Sequence, residues 1–352
     1  MDYTTYINEL IDILIKEGGS DLHMSAGNPP VIRVSSSLSP LSNKDVLTGE
    51  VTLGIISALL NEEQRDTFLK NQELDFSYEY KDVRLRGNSF FQRGSVSIAL
   101  RLIPKQIKTL EELGLPPKLA DFAARKQGFF LVVGPVGQGK STTLASLIEM
   151  INTERAEHIV TIEDPIEYVF EQKKSMIDQR EVRIDTKDFA TALQSVFRQD
   201  VDVIMIGEMR GPETMAAAVT AAETGHLVFS TLHTNNAAQT IDRIIDTFPG
   251  GQQDQIRIQL SVSLAGIFSQ RLIPRVSGDL IPAYELLINN KAVANLIREK
   301  RTHEINTVIE TGSEEGMVDM NRSLADLVRR GEITIEDAHA HSLNPQILEK
   351  YL

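Results

Sequence analysis

The first hundred residues alternate apolar and polar positions over short stretches. Ile7, Leu10, Ile11 and Leu14 fall on one face of a helix, and a glycine pair follows that helix. Strand-like alternation with a period of two recurs in VIRVSSSLSPL, LDFSYEY, VRLRGNSFF and SVSIALRLI. Residues 1–103 are therefore predicted to form a half-exposed antiparallel sheet with accompanying helices.

A different pattern follows a proline-containing segment, PKQIKTLEELGLPP, that reads as a linker over residues 104–117. Short apolar runs without alternation, separated by helical segments, are FFLVV (129–133), IVTI (159–162), VIMI (203–206) and LVFSTL (227–232). Buried strands that alternate with helices predict a parallel sheet covered on both faces. This second domain spans residues 118–352, and its part from about residue 289 to the end is predicted to be all helical.

Composition narrows the possible functions. The chain of 352 residues has no cysteine, which excludes disulfides, thiolate zinc sites and cysteine nucleophiles. Its net charge of -13 argues against broad nucleic-acid binding, which needs Lys and Arg to neutralise phosphates. The amino-terminal segment lacks the pattern of a signal peptide, and no apolar run approaches the length of a membrane span. We therefore expect a soluble, intracellular protein.

A phosphate-binding loop follows the run FFLVV directly. The segment GPVGQGKST fits G-x-x-x-x-G-K-[ST], a loop whose backbone N–H groups surround a β-phosphate. Lys140 reaches the β- and γ-phosphate oxygens in such loops, and the Ser141 hydroxyl binds Mg²⁺. The predicted ATP-binding residues of the loop are Gly134, Pro135, Val136, Gly137, Gln138, Gly139, Lys140, Ser141 and Thr142. The sequence thus predicts a nucleoside triphosphate site.

Acidic residues follow two other apolar runs. IVTIEDPIEY presents Glu163 and Asp164, and VIMIGEMR presents Glu208. The carboxyl ends of parallel strands meet at one edge of a sheet, so these side chains are expected beside the phosphates. Acidic groups that hold the metal and the attacking water are what hydrolysis requires in addition to binding.

Two histidines flank the run LVFSTL. His226 precedes it and His233 follows it, seven positions apart. An odd separation along a strand places two side chains on opposite faces, so a shared metal ion is not expected. His233 is predicted to lie at the phosphate edge, and His226 at the opposite end with an open role.

The motifs GPVGQGKSTTLA, IVTIEDPIEYVF, VIMIGEMRGPET and TGHLVFSTLHT resemble, in order and spacing, the Walker A, Asp box, Walker B and His box of the secretion ATPases. That family comprises the hexameric motors of type II and type IV secretion and of type IV pili. GGSDLHMSAGNPPVIRV, LGLPP and AVANLIRE further resemble the group that retracts type IV pili. Pilus-extension relatives usually carry a four-cysteine zinc module, which a chain without cysteine cannot form.

The resemblance implies a fold and a set of roles. The fold is an N-terminal PAS-like α+β domain followed by a RecA-like P-loop ATPase domain with C-terminal helices. Glu163 would polarise the attacking water, while Glu208 and Ser141 would hold Mg²⁺, partly through water. The sequence leaves open which glutamate is the base. His233, and with less support His226, would contact the γ-phosphate or the water.

Arginines are the remaining candidates for the site. By resemblance, Arg198 and Arg210 are arginine fingers that stabilise charge on the transferred phosphoryl group. The same resemblance implies that residues of the N-terminal domain bind nucleotide across a subunit interface, and the candidates are Arg84, Arg86, Arg93 and Arg101. A surface salt bridge explains any one of these arginines equally well.

The sequence departs from its relatives at three positions. Gln194 replaces an arginine, Val201 replaces a proline, and Ala294 replaces the arginine of the usual AIRNLIRE. The last segment is associated with retraction and not with nucleotide chemistry. Ala294 in this segment is therefore compatible with ATP hydrolysis, but it makes an accessory paralogue an alternative to the retraction motor.

Three functions remain open at this stage. The first is a homohexameric motor that uses ATP and Mg²⁺ to retract pili. It would act on an inner-membrane platform protein and beside a paralogous pilus ATPase, at the inner face of the cytoplasmic membrane. The second is a nucleotide-gated scaffold that does not hydrolyse ATP, which the two glutamates argue against. The third is a nucleic-acid translocase, which the negative charge disfavours.

Overall fold

A computed structural model of the chain describes residues 2–34, 37–81, 83–103 and 106–352. The chain divides into two units, Met1–Gln106 together with Glu167–Val169, and Ile107–Ile166 together with Phe170–Leu352. Two positions of the predicted linker, Pro104 and Lys105, lie outside the described residues, and its part from Ile107 onward belongs to the second unit.

In its described residues, the first unit is an antiparallel sheet with three helices. Its helices are α1 (Tyr3–Lys16), α2 (Gly49–Leu59) and α3 (Glu62–Asn71), and its strands are β1 (Asp21–Ser25), β2 (Val31–Val34), β3 (Ser37–Pro40), β4 (Glu73–Tyr80), β5 (Val83–Gln92) and β6 (Ser95–Leu102). The strands lie in the order β3-β2-β1-β6-β5-β4. Every neighbouring pair is antiparallel, which confirms the predicted sheet type.

Local sequence explains how the first helix forms. The Asp2 side chain accepts hydrogen bonds from the backbone N–H groups of Thr4 and Thr5, which satisfies two donors that a helix start leaves unpaired. The predicted apolar face of α1 is fully buried in the core of the unit, where Leu22, Leu85 and Leu100 of the sheet are also buried.

The prediction of one strand for VIRVSSSLSPL is wrong. The segment forms β2 and β3, which pair antiparallel with Val34 opposite Ser37; Ser35 and Ser36 lie outside the described residues. The alternation of apolar and polar residues continues through both strands, so it does not indicate that the chain changes direction between them. The strand β1 was not predicted, and its five residues include two buried apolar side chains, Leu22 and Met24.

The second unit has a seven-stranded sheet in the order β13-β12-β7-β11-β10-β8-β9. Its strands are β7 (Gly128–Val133), β8 (His158–Glu163), β9 (Met176–Glu181), β10 (Val203–Ile206), β11 (Leu227–Leu232), β12 (Leu264–Pro274) and β13 (Leu280–Ile288). All neighbouring pairs are parallel except β12 and β13. The four predicted strands are therefore confirmed, and β9, β12 and β13 are additional.

Helices cover this sheet on both faces. They are α4 (Ala120–Ala123), α5 (Lys140–Glu154), α6 (Phe189–Val196), α7 (Pro212–Glu223), α8 (Ala237–Asp246), α9 (Gly250–Ser263), α10 (Lys291–Arg298), α11 (Ile305–Thr311), α12 (Met320–Arg329), α13 (Ile335–His341) and α14 (Pro345–Tyr351). Every residue of β7, β10 and β11 is buried, as expected for strands packed on both sides. The predicted helical region is present, and Val318 within it forms an isolated bridge with Leu286.

Gly266 lies at an irregularity in β12, between the strands β7 and β13. A Cβ atom at this position would lie 2.7 Å from the Leu287 carbonyl oxygen and 2.7 Å from the Phe122 ring. We expect Gly266→Ala to lower the free energy of unfolding by about 1–3 kcal/mol, because the strand has no room for a methyl group. Denaturant titration followed by circular dichroism measures the change.

Gly250→Ala is the matched control for this substitution. Nothing lies within 4 Å of a Cβ atom there, and Gly250 is the first residue of α9. Its effect should stay within about 0.5 kcal/mol. Equal stability of the two variants would contradict the tight packing at β12.

Candidate active site

Four parallel strands bring the predicted site residues to one edge of the sheet. The phosphate-binding loop follows β7, and its neighbour β11 ends just before His233. The next strand, β10, is followed by Glu208, and β8 ends with Glu163. The order from the loop outward is therefore His233, Glu208 and Glu163.

The phosphate-binding loop has a backbone that only glycine adopts easily. Gly134, Gly137 and Gly139 have φ angles of 146°, 78° and 77°. A Cβ atom at Gly134 would lie 2.4 Å from the Gln270 carbonyl oxygen, so the loop also presses against β12. Gly139 occupies the position before α5, where it offers no side chain to cap the first N–H groups. This geometry suits an anion such as phosphate.

Gln270 of β12 holds the loop in place, a role that sequence reasoning missed. Its side-chain oxygen accepts a hydrogen bond from the Thr143 hydroxyl at 2.6 Å, and its nitrogen donates to the Gln138 carbonyl at 2.8 Å. The Leu272 N–H donates to the Gln138 side chain at 2.6 Å. Since β12 itself was missed, no signal along the chain pointed to Gln270.

Lys140 is a buried cation, only 7% exposed. Its Nζ atom donates to the carbonyl oxygens of Gly134 at 2.8 Å and Pro135 at 2.7 Å, and it lies 3.3 Å from Nδ1 of His233. A protonated amine has no lone pair, so Nδ1 acts as the acceptor and the ring proton belongs on Nε2. His233 Nε2 lies 3.5 Å from Glu208 Oε2. His233 thus connects the lysine to the glutamate.

Glu208 is also paired with Arg210, one of the two predicted arginine fingers. The Arg210 guanidinium donates to Glu208 Oε1, and this bond raises the pKa of Arg210 above its ordinary value. The carboxylate is largely shielded, whereas the arginine is mostly exposed. Arg210 is therefore held beside the site by its ion pair with Glu208.

Glu163 is buried and held by two donors. The Thr161 hydroxyl donates to Oε1 at 2.7 Å, and the Gln179 amide donates to the same oxygen at 3.2 Å. Gly207 packs beside Glu163, since a Cβ atom at Gly207 would lie 3.4 Å from the Cα atom of Glu163. The neighbouring Asp164 instead pairs with Arg183 at 3.3 Å. The carboxylate of Glu163 thus has a set orientation at the phosphate edge.

Two other predicted residues lie at the opposite edge of the sheet. The His226 ring contacts the Ala221 carbonyl at 3.0 Å, at the end of α7, and meets the Phe197 ring edge-on. Arg198 is exposed beside Phe197, and the next residue, Gln199, contacts the first residue of β8 through its carbonyl at 3.0 Å. A strand of six residues separates that end from Glu163, a length of about 16 Å. Neither side chain reaches the phosphate edge within this chain.

Within the first unit, three predicted arginines share one face of the sheet. Arg101 lies opposite Arg86, and Arg84 is two residues away on the same strand. Arg101 donates to Asp21 at 2.8 Å, and Arg84 donates to Glu79 at 3.0 Å. Arg93 lies in the turn between β5 and β6, with a φ angle of 47°.

Across residues 2–34, 37–81, 83–103 and 106–352, no three His, Cys, Asp or Glu side chains form a group that could hold a metal ion by themselves. No helix in the same ranges is long and apolar enough to cross a membrane.

The fold and the site define a P-loop ATPase with a RecA-like sheet. The chain belongs to the type II/IV secretion system protein family, which it matches over residues 4–340. This confirms the family predicted from the four motifs.

Individual relatives match over nearly the whole chain. The type IV pilus retraction ATPase PilT of Pseudomonas aeruginosa is 43% identical over 97% of this chain and 99% of its own length. The type IV pilus ATPase PilU of the same organism is 42% identical over 95% of this chain and 88% of its own length. A crystal structure of the pilus retraction motor PilT with bound ADP is 46% identical and covers 98% of this chain and 99% of its own, with a TM-score of 0.92.

The Gln270 contacts generate a prediction about nucleotide binding. Gln270→Ala leaves the Thr143 hydroxyl and the Gln138 carbonyl without their partner, so the loop loses its preformed shape. We expect ATP to bind about tenfold more weakly, equivalent to about 1.4 kcal/mol. Isothermal titration calorimetry measures the Kd.

Gln253→Ala is the control, because that glutamine also donates to a backbone carbonyl, that of Phe248, but on α9. It should leave the Kd unchanged. If both variants bind ATP like the parent chain, Gln270 does not support the loop.

Proposed function

We propose that this chain is the ATPase that powers retraction of type IV pili. The observation that carries the proposal is the match to PilT, which spans almost the full length of both proteins in sequence and backbone. The retraction group was also indicated by GGSDLHMSAGNPPVIRV and LGLPP in this sequence. ATP hydrolysis would supply the work for removing pilin subunits from the base of the fibre.

The site residues suit ATP with Mg²⁺. The glycine backbone and the start of α5 present N–H groups to the phosphates, and Lys140 adds a positive charge. Ser141 and Glu208 offer a hydroxyl and a carboxylate, the oxygen ligands that Mg²⁺ prefers. Bound there, the ion would neutralise charge on the β- and γ-phosphates.

His233 would sense the nucleotide through Lys140. When phosphates compete for the Lys140 ammonium, the carbonyls of Gly134 and Pro135 and the Nδ1 atom of His233 lose a donor. The ring still faces Glu208 through Nε2. The unprotonated Nδ1 atom of His233 would then be free to accept a hydrogen bond from the attacking water, and nucleotide occupancy would thereby be coupled to Glu208 through the same ring.

Strand order supports different roles for the two glutamates. Glu208 follows β10, two strands from the loop, while Glu163 ends β8, three strands away. In an in-line transfer the attacking water lies beyond the γ-phosphate, farther from the loop than the metal. Glu208 therefore suits the Mg²⁺ hydration shell and Glu163 the water, with Asp164 held aside by Arg183.

In a homohexamer, neighbouring subunits would add arginines to each ATP site. Arg210 already lies beside Glu208 and would stabilise charge in its own subunit. Arg198 is exposed at the opposite edge, together with His226, so it would serve a neighbouring subunit. One face of the first unit carries Arg84, Arg86 and Arg101, of which Arg84 pairs with Glu79 and Arg101 with Asp21. In the ring these arginines would contact nucleotide across a subunit interface.

The ring would act on an inner-membrane platform protein from the cytoplasmic side. A second candidate is an accessory ATPase that works with a paralogous motor. Two observations favour it: the 42% identity to PilU, and Ala294 on α10, where the retraction group carries arginine. Ala294 is partly exposed beside the buried Val293, so it belongs to the surface of that helix.

Gene deletion tests the proposed function. Assembly would continue without removal of pilin, so we expect more surface pili and no twitching, measured by electron microscopy and motility on agar. A gene copy with Lys140→Ala should fail to restore movement. A copy with Lys300→Ala, which changes an exposed lysine paired with Asp254, should restore it.

Other results would point elsewhere. Loss of pili would indicate an assembly motor, and unchanged piliation and movement would reject a retraction role for the chain acting alone. The accessory candidate predicts that movement disappears only when a paralogous gene is deleted as well.

Kinetic measurements on two variants distinguish the proposed roles of Glu163 and Glu208. Glu163→Gln keeps an acceptor for Thr161 but cannot take a proton, so kcat should fall by about 10²- to 10⁴-fold with ATP affinity retained. Glu208→Gln should raise the Mg²⁺ concentration needed for half-maximal turnover.

Glu181→Gln is the control, since Glu181 is a buried carboxylate opposite Glu163 on β9 that accepts from the Ile166 N–H. Its kcat should stay near that of the parent chain. A reversed pattern between Glu163 and Glu208 would exchange their roles.

A further inference from the structure

A buried carboxyl group lies away from the phosphate loop and takes no part in the reaction described above. Glu285 of β13 is 4% exposed and lies opposite Ser269 of β12. Burial raises the pKa of its carboxyl from the ordinary 4.5 to about 7. A glutamine or an apolar side chain would avoid this desolvation cost, so stability alone does not explain an ionisable group here.

Glu285 holds the start of the helix that follows His233. Its Oε1 atom accepts a hydrogen bond from the N–H of Ala237, the first residue of α8, at 2.8 Å. From the neighbouring strand, the Ser269 hydroxyl donates to the Asn235 carbonyl at 2.9 Å. Only Thr234 to Asn236 separate His233 from Ala237, so both contacts fix the segment that positions the histidine ring.

Besides Ser269, three charged or polar groups influence Glu285 from the elements around it. The amino end of α8 carries a partial positive charge and stabilises the carboxylate. Arg271 lies on the same face of β12 as Ser269, and its positive charge lowers the pKa of Glu285. Asp319, the residue that caps α12, raises it, and burial raises the pKa of Asp319 too.

We propose that Glu285 is a positioning residue for His233, and that its ionised form holds the segment after β11 more firmly than its protonated form does. The inference rests on the proposed function, in which His233 acts during turnover. A charged acceptor forms a stronger bond with a helix-terminal N–H than a neutral one. Turnover should therefore rise as Glu285 loses its proton near neutral pH.

Glu285→Gln tests this, because the amide keeps an acceptor oxygen for the Ala237 N–H but cannot ionise. The assay measures kcat and KM for ATP on the full-length protein from about pH 5.5 to about pH 8.5, across the shifted pKa. We expect the kcat of the variant to match that of the parent chain at the acidic end and to be about two- to fivefold lower at the alkaline end. The KM for ATP should not change.

Ser269→Ala is the matched control, since it removes the other anchor of the same segment without removing a titratable group. It should lower kcat at every pH and leave the shape of the pH profile intact. Glu285→Asp keeps the charge on a shorter side chain and should restore part of the pH dependence.

Thermal unfolding provides a readout that distinguishes positioning from plain stability. The folded-state pKa of Glu285 lies above its ordinary value, so the folded chain binds this proton more tightly and stability falls as pH rises from 4.5 to about 7. The Tm of Glu285→Gln relative to that of the parent chain should therefore rise between pH 4.5 and about pH 7 and stay constant above that pH. A higher Tm with lower alkaline kcat supports positioning.

Two results would overturn the inference. If Glu285→Gln has the same kcat and pH profile as an active parent chain, the residue does not position His233, and the proposed function stands. If the parent chain hydrolyses no ATP, the proposed function fails first and the inference fails with it.

Discussion

The site depends on the pairing of β12 with β7. That pairing places three consecutive side chains of β12 against three different parts of the unit. Ser269 binds the segment after His233, Gln270 binds the phosphate loop, and Arg271 donates to the His341 carbonyl at the end of α13. Because alternate residues of a strand point to opposite faces, Gln270 serves one face while its two neighbours serve the other. A change in this strand would therefore reach the loop, the histidine and the C-terminal helices together.

The same arrangement explains how the charge of Lys140 is stabilised at this buried edge of the sheet. Lys140 is buried, and a buried ammonium is costly without acceptors. The carbonyls of Gly134 and Pro135 and the nitrogen of His233 provide those acceptors at hydrogen-bonding distance. The loop can offer its carbonyls because Gly134 has a φ angle of 146°, and it keeps that shape because Gln270 supports it from β12. Phosphate binding and lysine burial thus rely on one set of backbone contacts.

Much of the second unit could be predicted from its sequence, and the exceptions have physical causes. The runs FFLVV, IVTI, VIMI and LVFSTL became β7, β8, β10 and β11 because both faces of each strand are buried. The strand β12 escaped prediction because its polar residues, Ser269 to Arg271, interrupt the apolar run. These side chains are polar because they bind the segment after His233, the phosphate loop and the end of α13. The edge strand β9, MIDQRE, is mostly exposed or half-buried and lacks a clear period.

For the site, the sequence could specify only residues that belong to local motifs. The phosphate loop, Glu163, Glu208 and His233 each follow a predicted strand, and parallel pairing brings them to one edge. Gln270 and Glu285 act from strands far along the chain, so no spacing marks them.

The roles of these two residues can be recognised only from the register of the strands. That register places Glu285 opposite Ser269, and Ser269 donates a hydrogen bond to Asn235. A buried acid at that register weakens the folded state as pH rises, while it strengthens the anchor of α8. A group that lowers stability and tightens the segment after His233 is better explained by the proposed role of that histidine in turnover than by folding.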